Sequence, residues 1–223
     1  MDRNVRTNCI KPALLFFLIT LAAILRALPA PAAGTETLTV AGGCFWCVES
    51  DFESVSGVIG AVSGYTGGST ANPTYDQVTK GGTGHYEAVQ ITFDPSQVSR
   101  AKLLEMFFRS VDPTDPGGQF CDRGESYRTA IFVSNSGEKA IAEAAKADAQ
   151  RVLGQTVVTP ILNHSAFYPA EAYHQDYYKG DKLVLTRFGP KRQKNAYKAY
   201  RKACGRDARV KQLWGGKAPF AGS

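Results

Sequence analysis

Thr37-Leu38-Thr39-Val40-Ala41-Gly42-Gly43-Cys44-Phe45-Trp46-Cys47-Val48-Glu49 constrains this chain more than any other stretch. Apolar residues alternate up to two glycines, which is the period of a half-buried strand. A helical pattern begins at the cysteine, with Val48, Phe52 and Val55 on one stripe. The backbone must turn sharply from strand to helix with Cys44 at the corner. A thiol at a helix N-terminus faces unpaired N–H groups and the positive end of the dipole, and both favour thiolate. Cys44 is therefore expected to be an ionised nucleophile. Phe45 and Trp46 beside it suit an apolar substrate.

Further along, residues 57–65 and 85–93 read as strands, the second ended by Asp94-Pro95. Ser99 caps a helix carrying Leu103, Leu104, Phe107 and Phe108. Residues 127–134 and 155–162 read as strands. Residues 137–153, 170–178 and 191–203 read as helices. Breakers make 66–84 and 112–124 loops, and the chain beyond Leu213 reads as a loose Gly-rich tail. The neighbouring strands at 57–65 and 85–93 have no helix between them. The expectation is an α+β two-layer sandwich, a mixed β-sheet covered by helices and long loops.

Residues 1–33 read as a secretory signal: Arg3, Arg6 and Lys11, then an apolar run from Ala13 to Leu25, then Ala30-Pro31-Ala32-Ala33. The run is short for a membrane span, so export to the periplasm is favoured over an uncleaved anchor. Arg3, Arg6, Lys11 and Arg26 against Asp2 leave this segment at +3, half of the chain's +6. The remaining basicity, near the C-terminus, suits a solvated helix face better than nucleic-acid binding. Residues 34–223 suffice for one catalytic domain with a cysteine-bearing tail from about 190. Four cysteines stay with it: Cys44, Cys47, Cys121 and Cys204. An oxidising compartment allows two structural bridges, yet a domain this large needs no staples.

Glu87 follows a Gly-rich loop at the start of an alternating strand. A carboxyl held against aromatic rings loses hydration, its pKa rises, and it becomes a general acid near neutral pH. His85 is the other candidate, as a base paired with Cys44. One Cys-x-x-Cys without a second pair is not a zinc signature.

Six motifs stand in order: Gly43-Cys44-Phe45-Trp46, Gly64-Tyr65-Thr66-Gly67-Gly68, Asn72-Pro73-Thr74-Tyr75, Gly84-His85-Tyr86-Glu87-Ala88-Val89, Tyr127-Arg128-Thr129-Ala130-Ile131 and Tyr173-His174-Gln175-Asp176-Tyr177. Together they resemble the A-type peptide methionine sulfoxide reductases, and Tyr200 to Asp207 resembles the C-terminal cysteine region of one branch. The resemblance implies a ferredoxin-like core and reduction of methionine S-sulfoxide, in proteins and free. It implies that Cys44 attacks the sulfur and that Glu87 protonates the oxygen. Tyr75 and Tyr127 would donate hydrogen bonds to that oxygen, Asp122 would order the site, and Phe45 and Trp46 would hold the methyl group. The resulting sulfenic acid condenses with a second cysteine. Cys204 is expected as the main resolving thiol and Cys47 as the alternative. The reductant would be thioredoxin-like or a periplasmic thiol relay. No cofactor or metal is called for, and a monomer is expected.

This chain departs from the common pattern at Cys47, Tyr86 and Cys121. Strand, Cys-x-x-Cys and helix also fit a thioredoxin-like disulfide oxidoreductase. An exported binding domain with two structural bridges is the non-enzymatic alternative.

Overall fold

The computed structural model describes residues 34–187 and 189–222. The expected leader lies outside them. Strand β1 (Glu36–Gly42) leads into helix α1 (Phe45–Glu53), followed by β2 (Val58–Thr66), α2 (Tyr75–Lys80), β3 (Tyr86–Phe93) and α3 (Arg100–Ser110). A small hairpin of β4 (Gly118–Gln119) and β5 (Asp122–Arg123) precedes β6 (Thr129–Val133), α4 (Ser136–Leu153), β7 (Ile161–Asn163) and β8 (Tyr168–Pro169). The C-terminal part holds β9 (Leu183–Thr186), β10 (Gly189–Arg192), α5 (Gln193–Ala203) and α6 (Arg206–Trp214).

The main sheet has the order β7-β6-β1-β3-β2-β8. Its pairs are antiparallel except β6 with β7, so the sheet is mixed, as expected. Alternation divides its faces. Leu38, Val40, Val89, Ile91, Phe93, Ile131 and Val133 join the large core cluster under the helices. Phe45, Val48 and Phe52 of α1 and the Leu103, Leu104, Phe107, Phe108 stripe of α3 fill the same cluster. Each such side chain contributes roughly 1.5–3 kcal/mol on burial. Ala41, Tyr86, Ala88, Ala130 and Phe132 form a thinner layer on the opposite face, joined by Phe167 and Leu162. Tyr86 meets Phe132 edge-on there, with ring centroids 5.7 Å apart.

Several expectations need correction. The presumed loop 66–84 contains α2, entered through a capping box between Thr74 and Gln77. The loop 112–124 contains the β4–β5 hairpin. Of the expected strand 155–162 only Ile161 and Leu162 pair with β6, and the pairing runs on to Asn163. Residues 170–178 make no α-helix; turns lead to a 3₁₀ turn at Tyr177–Lys179. This segment is held from outside, since the Asp176 N–H donates to Glu49 and Gln175 bridges to the Ser63 backbone.

Nor is the C-terminus loose. After α5 comes a further helix, α6, and Trp214 and Phe220 beyond it are buried. Arg201 fastens this end to α1: Nη1 reaches Asp51 at 2.7 Å, Nη2 the Phe220 carbonyl at 3.0 Å, and Nε Asp207 at 2.9 Å. Arg206 is buried on the other side of Asp51. Removing the shared carboxylate leaves buried Arg206 without its ion pair and Arg201 with Asp207 alone. Asp51→Ala is expected to lower unfolding free energy by about 3–5 kcal/mol, read as a shifted urea midpoint. A shift under about 1 kcal/mol would show that the ion network does not hold the C-terminal helices.

Candidate active site

The strand-to-helix corner is built on glycine. Gly43 has φ +79°, and a Cβ there would sit 2.5 Å from the Cβ of Gln119. A Cβ on Gly42 would fall 2.9 Å from Val48 Cγ2. This tight passage sets Cys44 at the N-cap of α1, where its carbonyl accepts the N–H of Cys47 at 3.1 Å.

Period-two alternation puts Glu87 on the helix-facing side of β3 with Val89, Ile91 and Phe93. It therefore comes up beneath the first turn of α1. Glu87 Oε2 accepts the Phe45 N–H at 3.1 Å, while Oε1 is buried with no partner among the described residues. Burial pushes its carboxyl up to about 8, with the nearby Asp122 charge acting in the same direction and the Phe45 N–H opposing both. Glu87 is thus largely protonated near neutrality.

Tyr75 opens α2, placed by its N–H donating to Glu171 at 2.9 Å. Tyr127 ends a 3₁₀ turn just before β6. Their hydroxyls interact with each other, and burial keeps both phenols protonated. Asp122 comes from β5 and accepts the Tyr200 hydroxyl from α5. Trp46 stacks on Tyr177, with ring centroids 3.9 Å apart and planes 6° apart.

Cys44, Phe45, Trp46, Tyr75, Glu87, Asp122 and Tyr127 line one cleft of about 60 Å³, together with Tyr200. Every catalytic and substrate-contacting residue expected from the sequence is in this wall. A single water needs about 10–15 Å³, so the cleft takes the end of one side chain. Tyr200 went unassigned by sequence reasoning, although it lies one helical turn before Cys204. Buried His174 lies beside the cleft, its ring 4.4 Å from Tyr75 and 5.0 Å from Phe45, and burial holds it down at about 4. His85 is elsewhere. Its Nδ1 accepts the Gly68 N–H at 3.1 Å and its Nε2 meets the Thr70 carbonyl at 2.7 Å, so it braces a loop.

The surroundings of Cys44 oppose the expected resting thiolate. Burial raises the Cys44 pKa well above its ordinary value, and the hydrogen bond with Cys47 and the charges of Cys47, Glu87 and Asp122 add to it. The Cys44 side chain makes no capping hydrogen bond to the helix, and the first helical N–H goes to Glu87. Cys47 moves the other way. The hydrogen bond from Cys44 lowers it, and the Arg206 and Arg201 charges assist against burial. Both thiols are free and share one buried cluster with Tyr197. Cys204 is bonded to Cys121, and Asp122 reaches both of those sulfurs.

Fold and site together define a cysteine enzyme whose buried thiol works with a protonated carboxyl and two phenols. The peptide methionine sulfoxide reductase family model matches residues 36–216, and the chain belongs to that family. Peptide methionine sulfoxide reductase MsrA 2 of Caulobacter vibrioides is 50% identical over 200 residues, covering 89% of this chain and 94% of its own. MsrA of Bacillus licheniformis is 46% identical over 188 residues, covering 82% and 95%. Methionine sulfoxide reductase A of Corynebacterium diphtheriae matches in structure with TM-score 0.59 at 31% identity, over 69% of this chain and 76% of that one. Mxr1 of Saccharomyces cerevisiae in its reduced form gives TM-score 0.63 at 27% identity, over 69% and 90%.

The folded-state pKa of Glu87, about 8, lies above its ordinary 4.5. The folded chain holds a proton there that the unfolded chain releases, so stability falls as pH rises through that window. Glu49, raised by burial to about 7, acts in the same direction. Glu87→Gln is expected to flatten the decline in unfolding free energy between about pH 5 and about pH 9. An unchanged slope would place the proton elsewhere.

Proposed function

We propose that this chain reduces methionine S-sulfoxide, in proteins and as the free amino acid, to methionine. The carrying observation is the cleft in which neutral Glu87 and two protonated phenols face the Cys44 thiol. A sulfoxide oxygen is a strong acceptor without a proton of its own. Tyr75 and Tyr127 donate to it as its negative charge grows, while Phe45 and Trp46 hold the apolar methyl end. Asp122, steadied by Tyr200, orders the rim.

Cys44 sulfur attacks the substrate sulfur. The oxygen takes the Glu87 proton, and the thiol proton replaces it on Glu87. The oxygen passes to Cys44 as the transient bond between the two sulfurs and the substrate S–O bond break, so methionine leaves reduced and Cys44 carries the oxygen as sulfenic acid. No net proton is consumed, so a neutral thiol with a neutral acid is a workable starting state.

Cys47 is the nearer resolver, because it shares a buried cluster with Cys44 and the two thiols are hydrogen-bonded. Attack by Cys47 on the Cys44 sulfenic acid expels water and forms a Cys44–Cys47 bridge. Exchange with reduced Cys121 and Cys204 then moves the bridge outward and leaves Cys44 and Cys47 as thiols. That end state has the same bonding as the structure. Exposed Cys121 offers the surface bridge to an external dithiol, either a thioredoxin-like protein or a periplasmic relay. The signal-like charge and apolar pattern of residues 1–33 supports export.

Cys44→Ser is expected to release no methionine from a sulfoxide substrate with dithiothreitol. Equal product from mutant and parent would reject the mechanism. Glu87→Gln should lower kcat/KM by about 10²–10⁴ with the fold intact, and the parent kcat/KM should decline above about pH 8 as the acid ionises. Insulin reduction without sulfoxide reduction would instead favour the disulfide oxidoreductase.

The fully reduced protein, given excess sulfoxide and no reductant, should release about two methionines per chain, one for each bridge it can form. Cys121→Ser/Cys204→Ser should release about one. Peptide mapping that finds Cys44 joined directly to Cys204 after the first turnover would restore Cys204 as first resolver.

A further inference from the structure

If the reductase reading holds, only the sulfoxide end of a substrate enters the cleft. The rest of a protein substrate must lie along its rim. One element there has no role in the core. β9 and β10 pair only with each other among the described residues. Leu183 and Leu185 are 74% and 86% exposed. Their partners in register are Arg192 and Pro190, which share their face and are also exposed.

The backbone of this strand is open as well. The Gln193 N–H donates to the Lys182 carbonyl at 2.9 Å. Hydrogen-bonded pairs alternate along an antiparallel ladder, so Val184 with Lys191 and Thr186 with Gly189 are the next ones inward. Leu183 and Leu185 therefore turn their N–H and C=O groups away from β10. The β10 edge is poorer, because Pro190 has no N–H to offer.

The hairpin also sits by the site. It leaves the body just after the Tyr177–Lys179 turn, whose Tyr177 stacks on Trp46. At its other end Arg187 stands close enough to Asp122 to favour that carboxylate's charged form. β9 thus runs from the stacking partner of one cleft residue towards a second cleft residue.

The geometry points to the outer edge of β9 as a docking strand for the extended polypeptide flanking an oxidised methionine. Backbone groups of the incoming segment complete the ladder at Leu183 and Leu185, and its apolar side chains cover the two leucines. Because the cleft admits only the end of a side chain, the backbone that carries it must cross the rim, which suits an edge with open N–H and C=O groups. Free methionine sulfoxide has no flanking chain and gains nothing from it. A membrane surface would cover the leucines but would leave the strand's N–H and C=O groups without partners.

Leu183→Ser/Leu185→Ser separates these cases. Steady-state kinetics would use free methionine sulfoxide, an apolar peptide carrying one methionine sulfoxide, and the same peptide with N-methylated flanking amides. The double variant is expected to lose about tenfold in kcat/KM for the peptide, chiefly through KM, with the free amino acid changed by less than about twofold. N-methylation should cost the parent a similar factor and the variant nothing more. Equal losses on peptide and free substrate, no loss on either, or indifference to N-methylation would each overturn the docking strand. So would leucine-dependent binding to anionic vesicles with unaltered peptide kinetics. Absence of methionine from every substrate and every protein would instead defeat the reductase reading itself.

Discussion

The contact from the Phe45 N–H to Glu87 Oε2, 3.1 Å long, joins the first turn of α1 to the middle of the sheet. It decides two protonation states together. The helix N-terminus directs its leading donor at the carboxyl, and the Cys44 thiol caps none of the helix N–H groups. Such a bond to a charged acceptor is worth about 1.5–3 kcal/mol, yet burial still outweighs it and Glu87 stays mostly neutral. The site therefore rests with its protons on the thiol, the acid and both phenols. It is an array of donors that matches an acceptor lacking a proton.

The C-terminal helices form the other wall. In sequence they read as a basic tail. Folded, Arg201 and Arg206 are drawn inside by Asp51 and lie near enough to Cys47 to favour its thiolate. The same helices bring Tyr200 onto Asp122 and Cys204 onto Cys121. One set of buried ion pairs thus closes the fold and adds to the Cys44 hydrogen bond that makes Cys47 the more acidic thiol.

The four cysteines fall into two layers. Cys44 and Cys47 are buried together, while Cys121 is exposed and Cys204 half-exposed. Asp122 stands between the layers, lining the cleft on one side and reaching the surface sulfurs on the other. Burial restricts the reactive sulfur to ligands that fit a small cleft. The surface pair is open to a partner far too large to enter.

Residues 86–93 carried their own instruction, since alternation alone places Glu87 on the face of Val89, Ile91 and Phe93. The α1 and α3 stripes, the Ser99 cap and the glycine corner before Cys44 were equally local and equally legible. The capping box of Thr74 and Gln77 was also written in the sequence, though the surrounding breakers hid a helix of six residues. At 170–178 helical periodicity misled, because Glu49 takes the Asp176 N–H and the Ser63 backbone holds the Gln175 side chain, so distant partners fix this segment. Near neighbours along the chain fix strand, helix and corner, so the sequence determined the elements and most of the cleft's wall. The state of the thiols, the Cys121–Cys204 bridge across 83 residues and the place of Tyr200 were decided only by the tertiary structure. Desolvation and charge act through space, between groups that nothing in their local sequence brings together.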